Sequence, residues 1–227
     1  MTVIDRRRFL AGLSSGALAA ALPAVVPTGV GAFEAVTGFR RGVAEAASRD
    51  EVLAAFYRNR GFEGIWAGGT ERDVRRRNAL LTAMAEAPAH GMGSLRHDPR
   101  ALVRTLTEAR TPYEQGRAEV AASAAFLRLS RDLGAGMVVP SSVVPAIKRE
   151  PMAPDPLALI TVFPEEEPVA FLAGLAPTSA EYGRLLAAKM RLEEVVAAGG
   201  WGDIIAVDGD PLADVRQLED VDFVMKA

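Results

Sequence analysis

Helix-start signals recur along this chain, and almost nothing before residue 203 alternates in the way a half-buried strand must. Ser48-Arg49-Asp50-Glu51 and Thr70-Glu71-Arg72-Asp73 each offer a hydroxyl to the third helical amide and a carboxylate that reaches back to the cap. Asp98-Pro99, Thr111-Pro112 with Glu114, and Asp155-Pro156 put proline at the first helical position, where its missing N–H costs nothing. Thr178-Ser179-Ala180-Glu181 repeats the box. Behind these caps the apolar residues fall at helical spacing. Val52, Leu53, Phe56 and Tyr57 run up to Gly61; Leu80, Leu81, Met84 and Ala87 run to about Ala89; Val120, Ala124 and Leu127, with Phe126 nearby, run to Gly134. Shorter helices are expected at 101–109, 155–163 and 168–174, and a last long one from 178 to Gly199-Gly200. Residues 137–154, with four prolines, read as an ordered loop. The expectation is a mainly α fold, an irregular multi-helix domain of about six helices over residues 33–201, with no repeat of solenoid period.

From Gly202 the period changes. Asp203-Ile204-Ile205-Ala206-Val207-Asp208, a turn at Gly209-Asp210-Pro211-Leu212, and Asp222-Phe223-Val224-Met225-Lys226 predict a short C-terminal β-hairpin over 202–227. The charge changes there too. Residues 1–32 carry three Arg and one Asp, residues 33–200 carry 21 basic and 21 acidic side chains, and residues 201–227 carry two basic and seven acidic, so the net −3 is a property of the tail. A neutral body offers no basic field for phosphates, and the Arg75-Arg76-Arg77 run has Glu71 and Asp73 one turn away, which argues against nucleic acid as a partner. At 49% apolar residues the body has material for one sizeable core.

The N-terminus reads as an address. Asp5-Arg6-Arg7-Arg8-Phe9-Leu10 precedes a weakly hydrophobic run from Ala11 to Val26, broken by Pro23, and small residues follow. The run is too short and interrupted to span a bilayer permanently. Arg6, Arg7, Phe9 and Leu10 fit the pattern read by the twin-arginine translocase, which would be a partner during export; cleavage after Ala24 or after Ala32 fits equally. The destination expected is the periplasm or cell envelope.

Five stretches of the body resemble, in order, the helical scaffold region that precedes the catalytic domain of large multidomain murein L,D-transpeptidases. They are Phe56-Tyr57-Arg58-Asn59-Arg60-Gly61-Phe62 with Trp66; Leu80-Leu81-Thr82-Ala83-Met84 leading to Ala89-His90-Gly91-Met92; Asp132-Leu133-Gly134-Ala135-Gly136; Leu175-Ala176-Pro177 with Tyr182 and Leu185; and Ala197-Ala198-Gly199-Gly200-Trp201. The resemblance, over about residues 48–201, implies a role in peptidoglycan remodelling, with peptidoglycan or envelope proteins as partners. That family attacks its donor peptide with a cysteine thiolate in a later domain. This chain has no cysteine, so the family's acyl-enzyme has no nucleophile here, and a truncated, non-catalytic scaffold is expected.

Residues 202–227 resemble the closing strands of prolidase-like and imidazolonepropionase-like amidohydrolases. That gives an alternative reading, an amidohydrolase remnant fused to an exported helical domain, without the family's metal ligands. No catalytic, cofactor-binding or metal-ligating residue is assigned. His90 reads as a helix-end histidine and His97 as an exposed loop histidine. Arg58, Arg60 and Trp66 are the candidates for ligand contact, by ion pairing and stacking on glycan or stem peptide, with a core position the commoner place for a tryptophan such as Trp66 in a small helical domain.

Overall fold

The computed structural model describes residues 30–93, 96–148, 153–200, 204–206, 216, 219 and 223–225. The translocase signal at Arg6, Arg7, Phe9 and Leu10 lies outside them. The described chain is mainly helical: α1 Val30–Ala47, α2 Glu51–Asn59, α3 Glu71–Glu86, α4 Pro99–Glu108, α5 Pro112–Ala135, α6 Pro140–Val143, α7 Pro156–Val162, α8 Pro168–Gly174 and α9 Ala180–Ala197. Two 3-10 segments, Ala87–His90 and Phe163–Glu165, extend α3 and α7. Among the described residues there are thus nine α-helices where about six were expected. The one-turn α6 and the 18-residue α1 lie where no helix was expected, and the other seven match helical stretches read from the sequence.

Most caps act as their sequences require. Thr70 and Thr111 each complete a capping box, with Asp73 and Glu114 reaching back. Asp98 and Asp155 accept from Arg100 and Leu157 in front of Pro99 and Pro156. Two starts differ. Asp50, not Ser48, caps α2 by accepting from the Leu53 amide at 3.0 Å, while the Ser48 hydroxyl turns back to the Glu45 carbonyl and helps close α1. Ser179, not Thr178, caps α9, accepting from Tyr182 at 3.2 Å. In both, a second capping residue stands nearer the first helical turn and wins. Helix α2 ends as a Schellman motif: Phe62 N–H reaches Tyr57 C=O at 2.7 Å and Gly61 N–H reaches Arg58 C=O at 3.1 Å. Gly61 supplies the left-handed φ of 59°, and Phe62 follows it at 61°.

The chain forms two compact units. The first runs through residue 88 and from Met92 to Ala176. In it α1 lies along α5, the most extensive helix contact; α4 packs on α5 and α3, α2 on α7, and α3 on α8. Phe56, Tyr57, Ile65, Trp66, Leu80, Phe126, Leu129, Ile160 and Phe163 fill its centre. The buried face of α5 is rotated from the expected one: Gly116, Glu119, Val120, Ser123, Phe126 and Leu129 point inward, and Ala124 and Leu127 sit at its margin.

The second unit comprises Ala89–Gly91 and the chain from Pro177. It holds α9, and in it the Tyr182 hydroxyl meets His90 Nδ1 at 2.7 Å. The expected C-terminal hairpin needs correction. The described residues show a three-residue ladder, β1 Ile204–Ala206 antiparallel to β2 Phe223–Met225, with Ile205 opposite Val224. Residues 207–222 separate the two strands in the sequence, and so short a ladder adds little stability by itself. The expected turn, Gly209-Asp210-Pro211-Leu212, lies outside the described residues. No helix among the described residues is long and apolar enough to cross a membrane.

Candidate functional site

The segment from Glu63 to Gly69, between α2 and α3, is the most polar buried feature of the first unit. Ile65 and Trp66 in it are fully buried, although it forms neither helix nor strand. Its amides and carbonyls have no ladder to pair with, and buried backbone groups must be satisfied somehow. Three charged side chains do this. Glu119, fully buried on α5, accepts from the amides of Ile65 at 2.7 Å, Trp66 at 2.9 Å and Ala67 at 2.7 Å. On the carbonyl side, Arg77 donates to Trp66 and Gly68, and Arg76 donates to Ile65 at 3.3 Å and to Pro164 at 2.6 Å. Two of the three arginines at 75–77 are therefore structural. Only Arg75, paired with Glu71 at 3.5 Å, lies on the solvent face, and Arg76 also keeps Asp73 at 3.2 Å.

Beside the clamp runs a chain of hydroxyls. Trp66 Nε1–H donates to Ser123 Oγ at 2.8 Å, Ser123 Oγ lies 2.7 Å from Tyr57 Oη, and Tyr57 O–H donates to Glu119 Oε1 at 2.9 Å. All three bonds coexist when the Ser123 proton points at Tyr57, so the polarity of the chain runs toward the carboxylate. Burial pushes the Tyr57 phenol well above its usual range, and the Glu119 charge adds to this, so the phenol keeps its proton. Burial likewise raises Glu119, with the Ile65, Ala67 and Trp66 amides and Tyr57 pulling against it. Serine, tyrosine and glutamate in sequence suggest a relay, but the geometry is that of a brace. Ser123 is sealed beneath the indole, and the lone pairs of Glu119 are occupied by amides.

Trp66 therefore has no face to offer a ligand, contrary to its candidacy. Its ring stacks on Phe163 at 5.2 Å and tilts against Phe126 at 5.8 Å. Arg58 and Arg60 stand elsewhere, at the end of α2. Arg58 is exposed, with Nε on the Ala54 carbonyl at 3.1 Å, and Arg60 is half-buried, its guanidinium 5.5 Å over the Phe56 ring. The structure keeps these two arginines near one another in the chain and places the tryptophan in the core.

His97 also departs from expectation: it is buried, not exposed. Its Nε2 lies 2.9 Å from Asp132 Oδ2 near the end of α5, and the same carboxylate takes Nε and a terminal nitrogen of Arg96. Burial holds His97 below the usual histidine range, Asp132 opposes this, and Arg96 and Arg128 add to the lowering. Asp132 is pushed up by burial but ends below its usual range through Arg96 and His97. A lowered folded value means that the unfolded chain binds the proton first, so stability falls as pH drops below about 6.5. His97→Gln keeps a donor for Asp132 and removes the titration. Urea midpoints between pH 7.5 and 5 should therefore fall less steeply for the variant, by at most about 1.4 kcal/mol per pH unit, the limit for one proton. Parallel curves would count against a buried neutral His97. Glu119 contributes an opposite slope in both proteins and drops out of the comparison.

Among the described residues no three histidine, aspartate or glutamate side chains gather in a way that could hold a metal ion. What the unit presents is a rigid helical frame in which a buried loop is clamped between charged side chains. No curated protein and no solved structure matches the chain. The family model described as Scaffold domain matches residues 51–188, from the first residue of α2 into α9. Covered over more than half of its length, the chain belongs to the Scaffold domain family.

Proposed function

We propose that this chain is the non-catalytic scaffold and binding domain of an exported, L,D-transpeptidase-like protein that serves peptidoglycan remodelling in the cell envelope. The observation that carries the reading is the family match over residues 51–188, which falls within the stretch whose motifs resemble the transpeptidase scaffold. The twin-arginine pattern at Arg6-Arg7-Arg8-Phe9-Leu10 supports export, and the absence of cysteine supports a role other than acyl transfer. Arg58 and Arg60 are the contact residues proposed, since each guanidinium, one exposed and one half-buried at the end of α2, is a donor fork that suits a stem-peptide carboxylate. The amidohydrolase alternative gains no support, because the family match ends at residue 188, before the tail that suggested it.

Co-sedimentation with purified sacculi tests the proposal. The chain should pellet with sacculi, and Arg58→Glu with Arg60→Glu should reduce the bound fraction several-fold while the helical circular dichroism is unchanged. A chain that stays in the supernatant, or a double variant that pellets as well as the parent, would overturn it.

A further inference from the structure

Residues 133–147, Leu133 to Ile147, contain no charged side chain, and the fold turns six of their large apolar groups outward. Met137, Val138, Val139, Val143, Val144 and Ile147 are between 38% and 68% exposed, whereas the first unit's other exposed apolar side chains, Val36, Val162 and Val169, are far apart in sequence. A cluster of this kind on one short segment marks an interaction surface.

Two features indicate what covers it. The first is charge. Among the described residues, the nearest exposed charged side chains along the chain are basic, Arg128 and Arg131 on α5 before the segment and Lys148 after it, and beyond Lys148 the sequence continues Arg149-Glu150. Asp132, the acid among them, is buried and bonded to Arg96 and His97. Asp155, which follows the Pro154 packed on Gly134, has its carboxylate on the Leu157 amide as a helix cap. The second feature is the backbone. Pro140 and Pro145 have no N–H to offer. The Ser142 amide and hydroxyl both reach the Val139 carbonyl, at 3.0 and 2.7 Å. The Val144 amide reaches Pro140 at 3.0 Å, and the Ile147 amide reaches Val144 at 2.9 Å. A segment that pairs with another chain's strand needs free amides in a row, and between Pro140 and Ile147 the two prolines and the three bonded amides leave no two adjacent amides free. A stretch without consecutive free amides, outward valines and flanking basic side chains suit entry into a lipid interface.

We propose that the Met137–Ile147 segment is a peripheral membrane contact, whose apolar side chains enter the interfacial zone of a bilayer while Arg128, Arg131 and Lys148 meet anionic headgroups. The chain is free of cysteine, so a single introduced thiol reports one position. Full-length Val143→Cys, labelled with an environment-sensitive fluorophore, should shift to the blue and gain at least twofold in intensity on vesicles of phosphatidylglycerol and phosphatidylcholine. The same label at Val169→Cys should not respond, which separates entry of this segment from any attachment through residues 1–32. Arg131→Glu with Lys148→Glu should weaken the response at least fivefold, and so should 0.5 M salt, with circular dichroism unchanged because both side chains are exposed. Three outcomes overturn the proposal: no shift at position 143, an equal shift with pure phosphatidylcholine, or self-association that Val143→Asp abolishes while vesicles leave the label unmoved.

Discussion

Replacing Glu119 with alanine is expected to cost about 3–5 kcal/mol of stability, the range for removing one partner of a buried, hydrogen-bonded charge set. For a domain of this size that corresponds to a fall in melting temperature on the order of 10 °C. The reason is that one side chain serves three amides and a phenol. Alanine leaves the N–H groups of Ile65, Trp66 and Ala67 buried without acceptors, and leaves Tyr57 O–H without its carboxylate. An unsatisfied buried donor costs about 1–3 kcal/mol, so local rearrangement must recover part of the sum. Glu119→Gln should fall between parent and alanine, because its oxygen still accepts while its NH2 faces amides that also donate. Urea unfolding measures both, and hydrogen exchange at residues 65–67 should rise first. A Glu119→Ala protein within about 1 kcal/mol of the parent would mean that the loop is held without the clamp.

The crossing of α1 and α5 should be almost as intolerant. A Cβ placed on Gly42 would lie 2.1 Å from the Tyr113 carbonyl oxygen, and one on Gly116 would lie 2.2 Å from the Phe39 carbonyl oxygen. Both obstacles are backbone, so no side chain can swing aside, and the helices must separate. Gly116→Ala is expected to cost about 3 kcal/mol, the upper part of the range for overpacking, even though alanine is the better helix former. The second contact of this crossing, the Tyr113 hydroxyl on Glu45 at 2.7 Å, should be lost with it, and proteolysis between α1 and α2 should accelerate. Gly183 on α9 is the matched control. Nothing lies within 4 Å of its Cβ position, so Gly183→Ala should gain about 0.5–1 kcal/mol. A neutral Gly116→Ala would show that α1 does not seat on α5 in solution.

These two sites also show what the sequence made legible. Caps are local, and Thr70, Asp98, Thr111 and Asp155 could be read because the cap and its target amide lie within three residues. Helix α1 could not be read in that way. It approaches α5 through Gly42 and Gly116, so its contact face lacks the bulky stripe that periodicity detects, and its start blends into the small-residue run that precedes it. Glu119 was hidden for the opposite reason: a charged residue on α5 reads as a solvent-facing position, and its partners are over fifty residues away. One signal was available. Ile65-Trp66 is a large apolar pair in a glycine-flanked stretch with no period, which implies a buried loop and therefore a demand for polar partners elsewhere in the chain. Of the two readings open for Trp66, ligand platform or core side chain, the structure has the core one, against the rings of Phe126 and Phe163.

The clamp on residues 65–67 bears on the order in which the molecule can assemble. Its acceptor lies 52 to 54 positions downstream of the amides it serves. During synthesis, α2, α3 and the segment joining them emerge before α5 exists, so Ile65 and Trp66 must wait in water or in non-native contacts until the turn carrying Glu119 and Ser123 has left the ribosome. Closing a loop of that length costs entropy before any bond repays it, and contacts so distant in sequence slow the search for the native state. The N-terminal half is therefore expected not to fold by itself, and the docking of α5 against α1, α2 and the joining segment is the step on which assembly is expected to depend.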